Sequence, residues 1–194
     1  SLCTPRFLNN SAAGAADYAR WLGIETHKIR CIRNGFEFVD DISDRRARVR
    51  GELGLADEDL VLGGIMRFTE EKQPGLWAEV AAEFVRHSKG RRAFLFGDGP
   101  LRRTILDKVR HWRLEQKIIV PGIAADTWDT LAAMDIFLLT SRMEGLPNVL
   151  IEAQACGVPV ITTAVGGAPE CVLHGETGLV VDCEHDAVKS ACLS

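Results

Sequence analysis

No stretch of this 194-residue chain approaches the uninterrupted apolar length of a membrane-spanning helix, and its first residues show no basic-then-apolar leader pattern. A cytoplasmic protein, or one at the cytoplasmic face of a membrane, is expected. The six cysteines (Cys3, Cys31, Cys156, Cys171, Cys183 and Cys192) form no CxxC pair, and the five histidines form no HExxH or close triplet. Structural zinc is disfavoured, no metal site is expected, and reduced, largely buried thiols are the default. Neither sign of charge dominates. With 23 basic and 27 acidic side chains, a net charge of −4 exerts no global pull on nucleic acid or anionic membrane, and no nucleic-acid partner is expected. GxGxxG and GxxxxGK[ST] are both missing, so neither a dinucleotide fingerprint nor a nucleotide-hydrolysing P-loop has local support.

What the chain does have is length, 46% hydrophobic residues and a regular alternation of patterns. An alanine-rich helix over 11–22, closed by Gly23, leads to a short strand over 29–32 and the turn-forming pair Asn34-Gly35. A charged stretch follows over 40–52. Strand-like apolar runs then recur at 60–65, 92–96, 117–120, 136–139, 158–161 and 179–181, separated by helical patterns at 77–85, 101–112 and 127–133. Six such runs predict a mostly parallel, doubly wound six-stranded α/β sheet, Rossmann-like in architecture.

In such a sheet ligands bind beyond the carboxyl ends of the strands, where strand order reverses. Glycine clusters stand there at Gly63-Gly64, Gly97-Asp98-Gly99-Pro100, Pro121-Gly122 and Gly166-Gly167, suited to close backbone approach or to tight turns. Arg67 and Lys72 follow the first of the six strands. They can hold a diphosphate or pair with Glu70, Glu71 or Asp98. The run SRMEGLPNVLIEAQACGVPVI, residues 141–161, carries Glu144 and Glu152 eight residues apart on either side of a turn that opens a helix. Pro147 is expected near the first helical position. Asn148 and Glu152, four apart, share a helical face, and the amides of 146–149 point at any anion near the helix start. Capping for Glu144 and solvation for Glu152 are the structural alternatives.

Taken in order, Asn34-Gly35, Arg67 with Lys72, GDGP, EGLPNVLIEAQACGVPVI, and GGAPE followed by HGETGLVV resemble the donor-binding, C-terminal half of retaining GT-B glycosyltransferases of family 4, over roughly residues 30–182. The resemblance implies that Arg67 and Lys72 hold the diphosphate and stabilise the leaving group, and that Glu144 faces the transferred sugar and phosphate region. It implies that Glu152 accepts hydrogen bonds from ribose hydroxyls. The backbone of Gly145, Leu146, Pro147, Asn148 and Val149 would meet the distal phosphate, Gly122 and Ile123 would wall the nucleobase, and Gly166 and Gly167 would approach the donor closely. The donor substrate implied is a UDP-, GDP- or ADP-linked sugar, with no further cofactor, and the acceptor a saccharide or glycolipid.

On the same analogy residues 1–33 are the tail of an acceptor-side domain with the passage out of it, and 34–194 a donor domain truncated at its C-terminal end. A further N-terminal Rossmann-like domain is then a required partner, with peripheral membrane contact only in the complete protein, and the chain alone is expected to be inactive. Here Lys72-Gln73-Pro74-Gly75 delays the glycine that often follows the family's lysine directly, leaving the start of the next helix open. A noncatalytic nucleotide-sugar binding module and a non-hydrolysing nucleotide-sugar epimerase of the same fold are the alternative readings.

Overall fold

The computed structural model describes residues 6–193. Its main sheet has six parallel strands, β3 (Leu60–Ile65), β4 (Arg91–Phe96), β5 (Ile118–Gly122), β6 (Ile136–Leu139), β7 (Val160–Thr163) and β8 (Gly178–Val181), in the spatial order β5-β4-β3-β6-β7-β8. This is the expected α/β sheet. Between the strands run α3 (Pro74–His87), α4 (Arg102–His111), α5 (Thr127–Ala132) and α6 (Asn148–Ala155), with α7 (His185–Leu193) last. The chain winds outward from β3 through β4 to β5, then returns to β6 on the other side of β3, so order reverses between β3 and β6.

Burial on both faces explains why these strands read as continuous apolar runs. Four consecutive residues of β3, Val61, Leu62, Gly63 and Gly64, are buried. The last two do not form a ligand turn as the sequence had allowed. They lie inside the strand, where a Cβ on Gly63 would sit 1.9 Å from Met134 Sδ and one on Gly64 2.5 Å from Trp77 Nε1, so they admit core side chains rather than a ligand. Trp77 and Phe84 of α3 are fully buried beneath the sheet, and α7, absent from the sequence reading, packs against α3.

A second, two-stranded parallel sheet pairs β1 (Phe7–Asn9) with β2 (Ile29–Cys31) around α1 (Ala12–Leu22). Ser11 caps α1 by accepting from the Gly14 N–H at 3.0 Å, and Gly23 closes it in the left-handed conformation at φ 66°. The expected helix and strand are both there, but β1 had no periodic signal. Asn34-Gly35 is not a turn: residues 32–39 run without hydrogen-bonded turns toward the main sheet, and the Asn34 amide donates instead to Asn148 Oδ1 at 2.5 Å.

The charged stretch after it folds as α2 (Ile42–Glu52). Its arginines do more than solvate a face. Arg45 and Arg48 each reach Asp129 at 2.7 Å, Arg46 reaches Asp135 at 2.5 Å, and the buried Arg50 reaches Asp135 at 3.2 Å and the carbonyls of Ala56, Asp59 and Ala133. Ion pairing and carbonyl contacts thus dock a helix that has little apolar surface of its own.

No disulfide joins the described cysteines. Cys31 is exposed and Cys192 buried, with Cys156, Cys171 and Cys183 between. Burial raises the thiols of Cys156 and Cys171 to about 11 and that of Cys192 to about 12, which keeps them protonated at neutral pH. Cys3 lies outside the described residues. Among those residues no helix is long and apolar enough to cross a membrane, and no group of three His, Cys, Asp or Glu side chains is placed to hold a metal ion.

Candidate functional site

The loops leaving β3 and β6 meet at the reversal of strand order. After β3, Thr69 leads into a single 3-10 turn, Glu70–Lys72, and Gln73 adopts φ 49°, ψ 51° before Pro74 opens α3. The delayed glycine of the sequence therefore gives way to a left-handed glutamine followed by a proline at N1. Lys72, just before this kink, reaches the β6 loop. Lys72 Nζ donates to Glu144 Oε1 at 2.6 Å, and the Ser141 hydroxyl donates to the same oxygen at 2.6 Å. The Lys72 and Glu144 side chains retain 17% and 6% of their exposure, so the pair is shielded from bulk solvent.

Backbone contacts hold the two loops in register. The buried Thr140 hydroxyl donates to the carbonyls of Lys72 and Gln73, both at 3.1 Å, and the Arg142 N–H donates to the Glu71 carbonyl at 2.7 Å. Thr163 donates to the Ser141 carbonyl at 2.5 Å. Sequence reasoning passed over Thr140 and Ser141. Their signal was available: two polar residues directly continuing a buried strand must find partners at its end.

Of the two cations, Lys72 does not pair with Glu70, Glu71 or Asp98. Arg67 does lean toward Glu71, but at 3.7 Å and with 75% of its side chain exposed, which leaves the guanidinium accessible. Asp98 instead accepts from the Gly99 N–H at 2.8 Å and lies 3.8 Å from Arg102. The GDGP turn buttresses the loop bearing Arg67, since Phe68 N–H donates to the Asp98 carbonyl at 2.9 Å and Leu101 N–H to the Phe68 carbonyl at 3.0 Å.

Helix α6 starts at Asn148, with Pro147 as its extended N-cap, next to the first helical position as expected. Pro147 has no N–H, so it can shape a binding surface but cannot donate to one. The first amides of the helix, those of Asn148 and Val149, have no intrahelical acceptor. Leu146 and Pro147 are buried and Gly145 exposed. One turn on, Glu152 is half-buried, and among the described residues its carboxylate has neither a hydrogen bond nor an ion pair. Burial pushes its pKa up.

Two further elements border this edge. Gly122, at φ 107°, ends β5, and the next residue, Ile123, leaves 77% of its surface exposed. Gly166 and Gly167 press on the Glu144–Gly145 backbone: a Cβ on Gly166 would sit 1.8 Å from the Glu144 carbonyl oxygen, and Gly167 N–H donates to the Gly145 carbonyl at 2.8 Å. The close approach made by these glycines is to the turn that carries Glu144.

The arrangement thus combines an accessible arginine, a shielded lysine–glutamate pair, helix-start amides without an intrahelical acceptor and a carboxylate with no partner among the described residues, all at the carboxyl ends of the strands. Comparison with known proteins yields a consistent picture. The family model described as "Glycosyl transferases group 1" matches residues 59–194. The Vi polysaccharide biosynthesis protein VipC/TviE of Salmonella typhi is 34% identical over 180 residues, covering 91% of this chain and 31% of that protein. The N-acetyl-alpha-D-glucosaminyl L-malate synthase of Bacillus anthracis is 32% identical over 165 residues, covering 81% and 43%. The chain thus spans under half the length of these relatives. Among solved structures, Anabaena Alr3699/HepE in complex with UDP and glucose superposes with a TM-score of 0.82 at 25% identity, covering 96% of this chain and 52% of that one. WaaG, a glycosyltransferase involved in lipopolysaccharide biosynthesis, superposes at 0.82 and 20% identity, which bears on the fold alone. The chain belongs to the glycosyl transferases group 1 family, and its six-stranded sheet matches the C-terminal, Rossmann-like half of the GT-B fold.

Proposed function

We propose that this chain is the donor-binding half of a retaining glycosyltransferase, which moves a sugar from a nucleoside-diphosphate sugar to a saccharide or lipid-linked acceptor. Glu152 carries the reading: a half-buried carboxylate with no hydrogen-bond or ion-pair partner among the described residues, one turn into the helix at the switch point, is an acceptor suited to ribose hydroxyls. The HepE complexes with UDP, and with UDP and glucose, support a nucleotide in this kind of cleft. On this reading residues 34–194 form the donor domain, and residues 1–33 are the tail of an acceptor-side domain that supplies the other wall. Transfer requires both halves.

Breaking the bond between the anomeric carbon and the phosphate oxygen leaves positive character on the sugar and an added negative charge on the departing diphosphate. On this reading Arg67, Lys72 and the Asn148 and Val149 amides balance that charge as it develops. Lys72 meets the diphosphate while still held by Glu144, which fixes its position and faces the sugar. Attack from the face the diphosphate leaves retains configuration, and the departing phosphate takes the acceptor proton. Glu152, assigned to the ribose, lies off the scissile bond and takes no part as nucleophile. Gly122 and Ile123 wall the base, and the 145–147 backbone lines the path to the phosphate.

Calorimetric titration of the folded chain with UDP and with GDP tests this. Saturable binding, unchanged by EDTA and weakened by roughly 1.5–3 kcal/mol in Glu152→Ala, is the expected outcome. Equal affinity in a folded Glu152→Ala variant would remove Glu152 from the site, and absence of any binding by the wild type would count against a preformed donor site.

A further inference from the structure

Glu170, in the GGAPE segment, makes contacts that the proposed donor chemistry does not use. It lies in a single 3-10 turn, Ala168–Cys171, with 17% of its side chain exposed. Its two carboxylate oxygens accept from the Ala12 N–H at 3.0 Å and the Ala13 N–H at 2.9 Å, the opening amides of α1, and one of them also meets Arg33 at 3.0 Å. All three partners belong to residues 1–33, more than 130 positions away. Although burial pushes the Glu170 carboxyl up, the Ala13 and Ala12 amides and the Arg33 guanidinium outweigh it and hold the group below the ordinary carboxylate range.

The other end of the same short segment is fastened to the site. Gly166 and Gly167 rest against Glu144 and Gly145, and the space where a Cβ on Gly167 would lie is also filled by the Ser11 Cβ, at 2.7 Å. Glu170 N–H donates to the Gly167 carbonyl at 3.1 Å, so one turn of backbone joins the carboxylate to the stack on Glu144, and Glu144 in turn grips Lys72. A shift of α1 therefore has a short covalent and hydrogen-bonded route to the lysine. No comparable link to residues 1–33 is made by Arg67, Lys72 or Glu152 among the described residues.

We propose that Glu170 is a positioning residue: by clamping the start of α1 and Arg33, it couples residues 1–33 to the Gly166-Gly167 stack and so holds Glu144 and Lys72 in the geometry that receives a nucleoside diphosphate. The ligand half of this statement rests on the donor-site reading above; the mechanical half does not. Glu170 itself stays clear of the donor. Its effect is felt through the Gly167–Gly145 contact.

Amide hydrogen exchange on the folded chain, wild type against Glu170→Ala, separates the two halves. The expected result is faster exchange at Ala12 and Ala13 and also at Gly167, each by roughly tenfold, the scale of one net hydrogen bond, with Val61 and Leu62 in β3 unchanged. Glu170→Gln keeps one acceptor oxygen and should give a smaller loss at the same amides; it also serves if the alanine variant does not fold. Loosening of Ala12 and Ala13 with Gly167 at its wild-type rate would make Glu170 a mere anchor for α1 and overturn the coupling. Titration with UDP and GDP then reads the consequence, with affinity of Glu170→Ala lower on the order of tenfold. Unchanged nucleotide affinity with a loosened Gly167 would also overturn the proposal. Failure of the wild type to bind either nucleotide would defeat the donor-site reading and the ligand half alone, since exchange is measured without ligand.

Discussion

At the scale of one residue, Glu152 sets the proposed binding role against stability. Burial without a partner raises its pKa above the ordinary 4.5, so the folded state favours the neutral form. For a group whose folded pKa is the higher one, the stability contribution is full below the ordinary value and lost as pH rises through the raised one. At neutral pH the ionised carboxylate therefore works against the fold. Glu152→Gln, which is neutral throughout, should melt at a higher temperature than wild type at pH 7, with the gap closing toward pH 4, while binding UDP or GDP more weakly. Thermal melts across that range decide it; a lower melting temperature at pH 7 would mean the carboxylate has a stabilising partner after all.

At the scale of elements, α2 has few apolar residues and packs on α5, and its attachment runs through Asp129 and Asp135. Arg50 is 6% exposed and shares Asp135 with the Val61 N–H at 2.8 Å, so Asp135→Ala leaves a buried guanidinium and a strand amide short of an acceptor. Denaturant unfolding should show a loss of roughly 3–5 kcal/mol. The hydrogen bond from Arg48, with help from Arg45, holds the Asp129 carboxyl below its ordinary range. A depressed carboxylate stabilises above its ordinary pKa and loses that contribution as pH falls through the folded value. The α2–α5 contact should therefore weaken in acid, seen as a smaller stability gap between wild type and Asp129→Asn below about pH 4 than at pH 7. The Gly166 turn is constrained in a different way: at φ 51° and in contact with the Glu144 carbonyl, it has no space for a side chain. Gly166→Ala should cost roughly 1–3 kcal/mol in backbone strain alone, and it should weaken nucleotide binding by displacing Glu144.

The whole molecule brings Lys72 and Glu144 together. They are 72 residues apart and belong to loops from different strands, and only the return of β6 to the flank of β3 makes them neighbours. Lys72→Met should destabilise the fold by roughly 1–3 kcal/mol, because it leaves Glu144 buried with Ser141 as its remaining side-chain partner. The double variant Lys72→Met/Glu144→Gln should recover part of that loss in a double-mutant cycle, while neither restores diphosphate binding. Strict additivity would mean the two side chains are not coupled in solution. The small β1–β2 sheet and α1 attach to this assembly through Glu170 and Arg33, a connection between chain segments 157 and 137 positions apart.

Local pattern alone determined a good deal here. Apolar runs of strand length located all six strands of the main sheet, because a buried parallel strand must be apolar over its whole length. Gly23 and Ser11 marked the ends of α1, since caps are local chemistry, and the EGLPNVLIE segment put Glu144 and Glu152 on either side of a helix start. The pattern was silent on α2, whose stability comes from arginines meeting distant aspartates, and it misread Asn34-Gly35 as a turn because the Asn34 partner, Asn148, lies 114 positions away. It also offered Gly63 and Gly64 as a place for close approach of a ligand, whereas they admit Met134 and Trp77. Strand order, the Lys72–Glu144 pair, the lack of a polar partner for Glu152 among the described residues and the reach of Glu170 to α1 were decided only by the tertiary structure. Propensity and periodicity act over a few residues, whereas these contacts depend on which strands become neighbours, and that is set by how the whole chain buries its apolar surface.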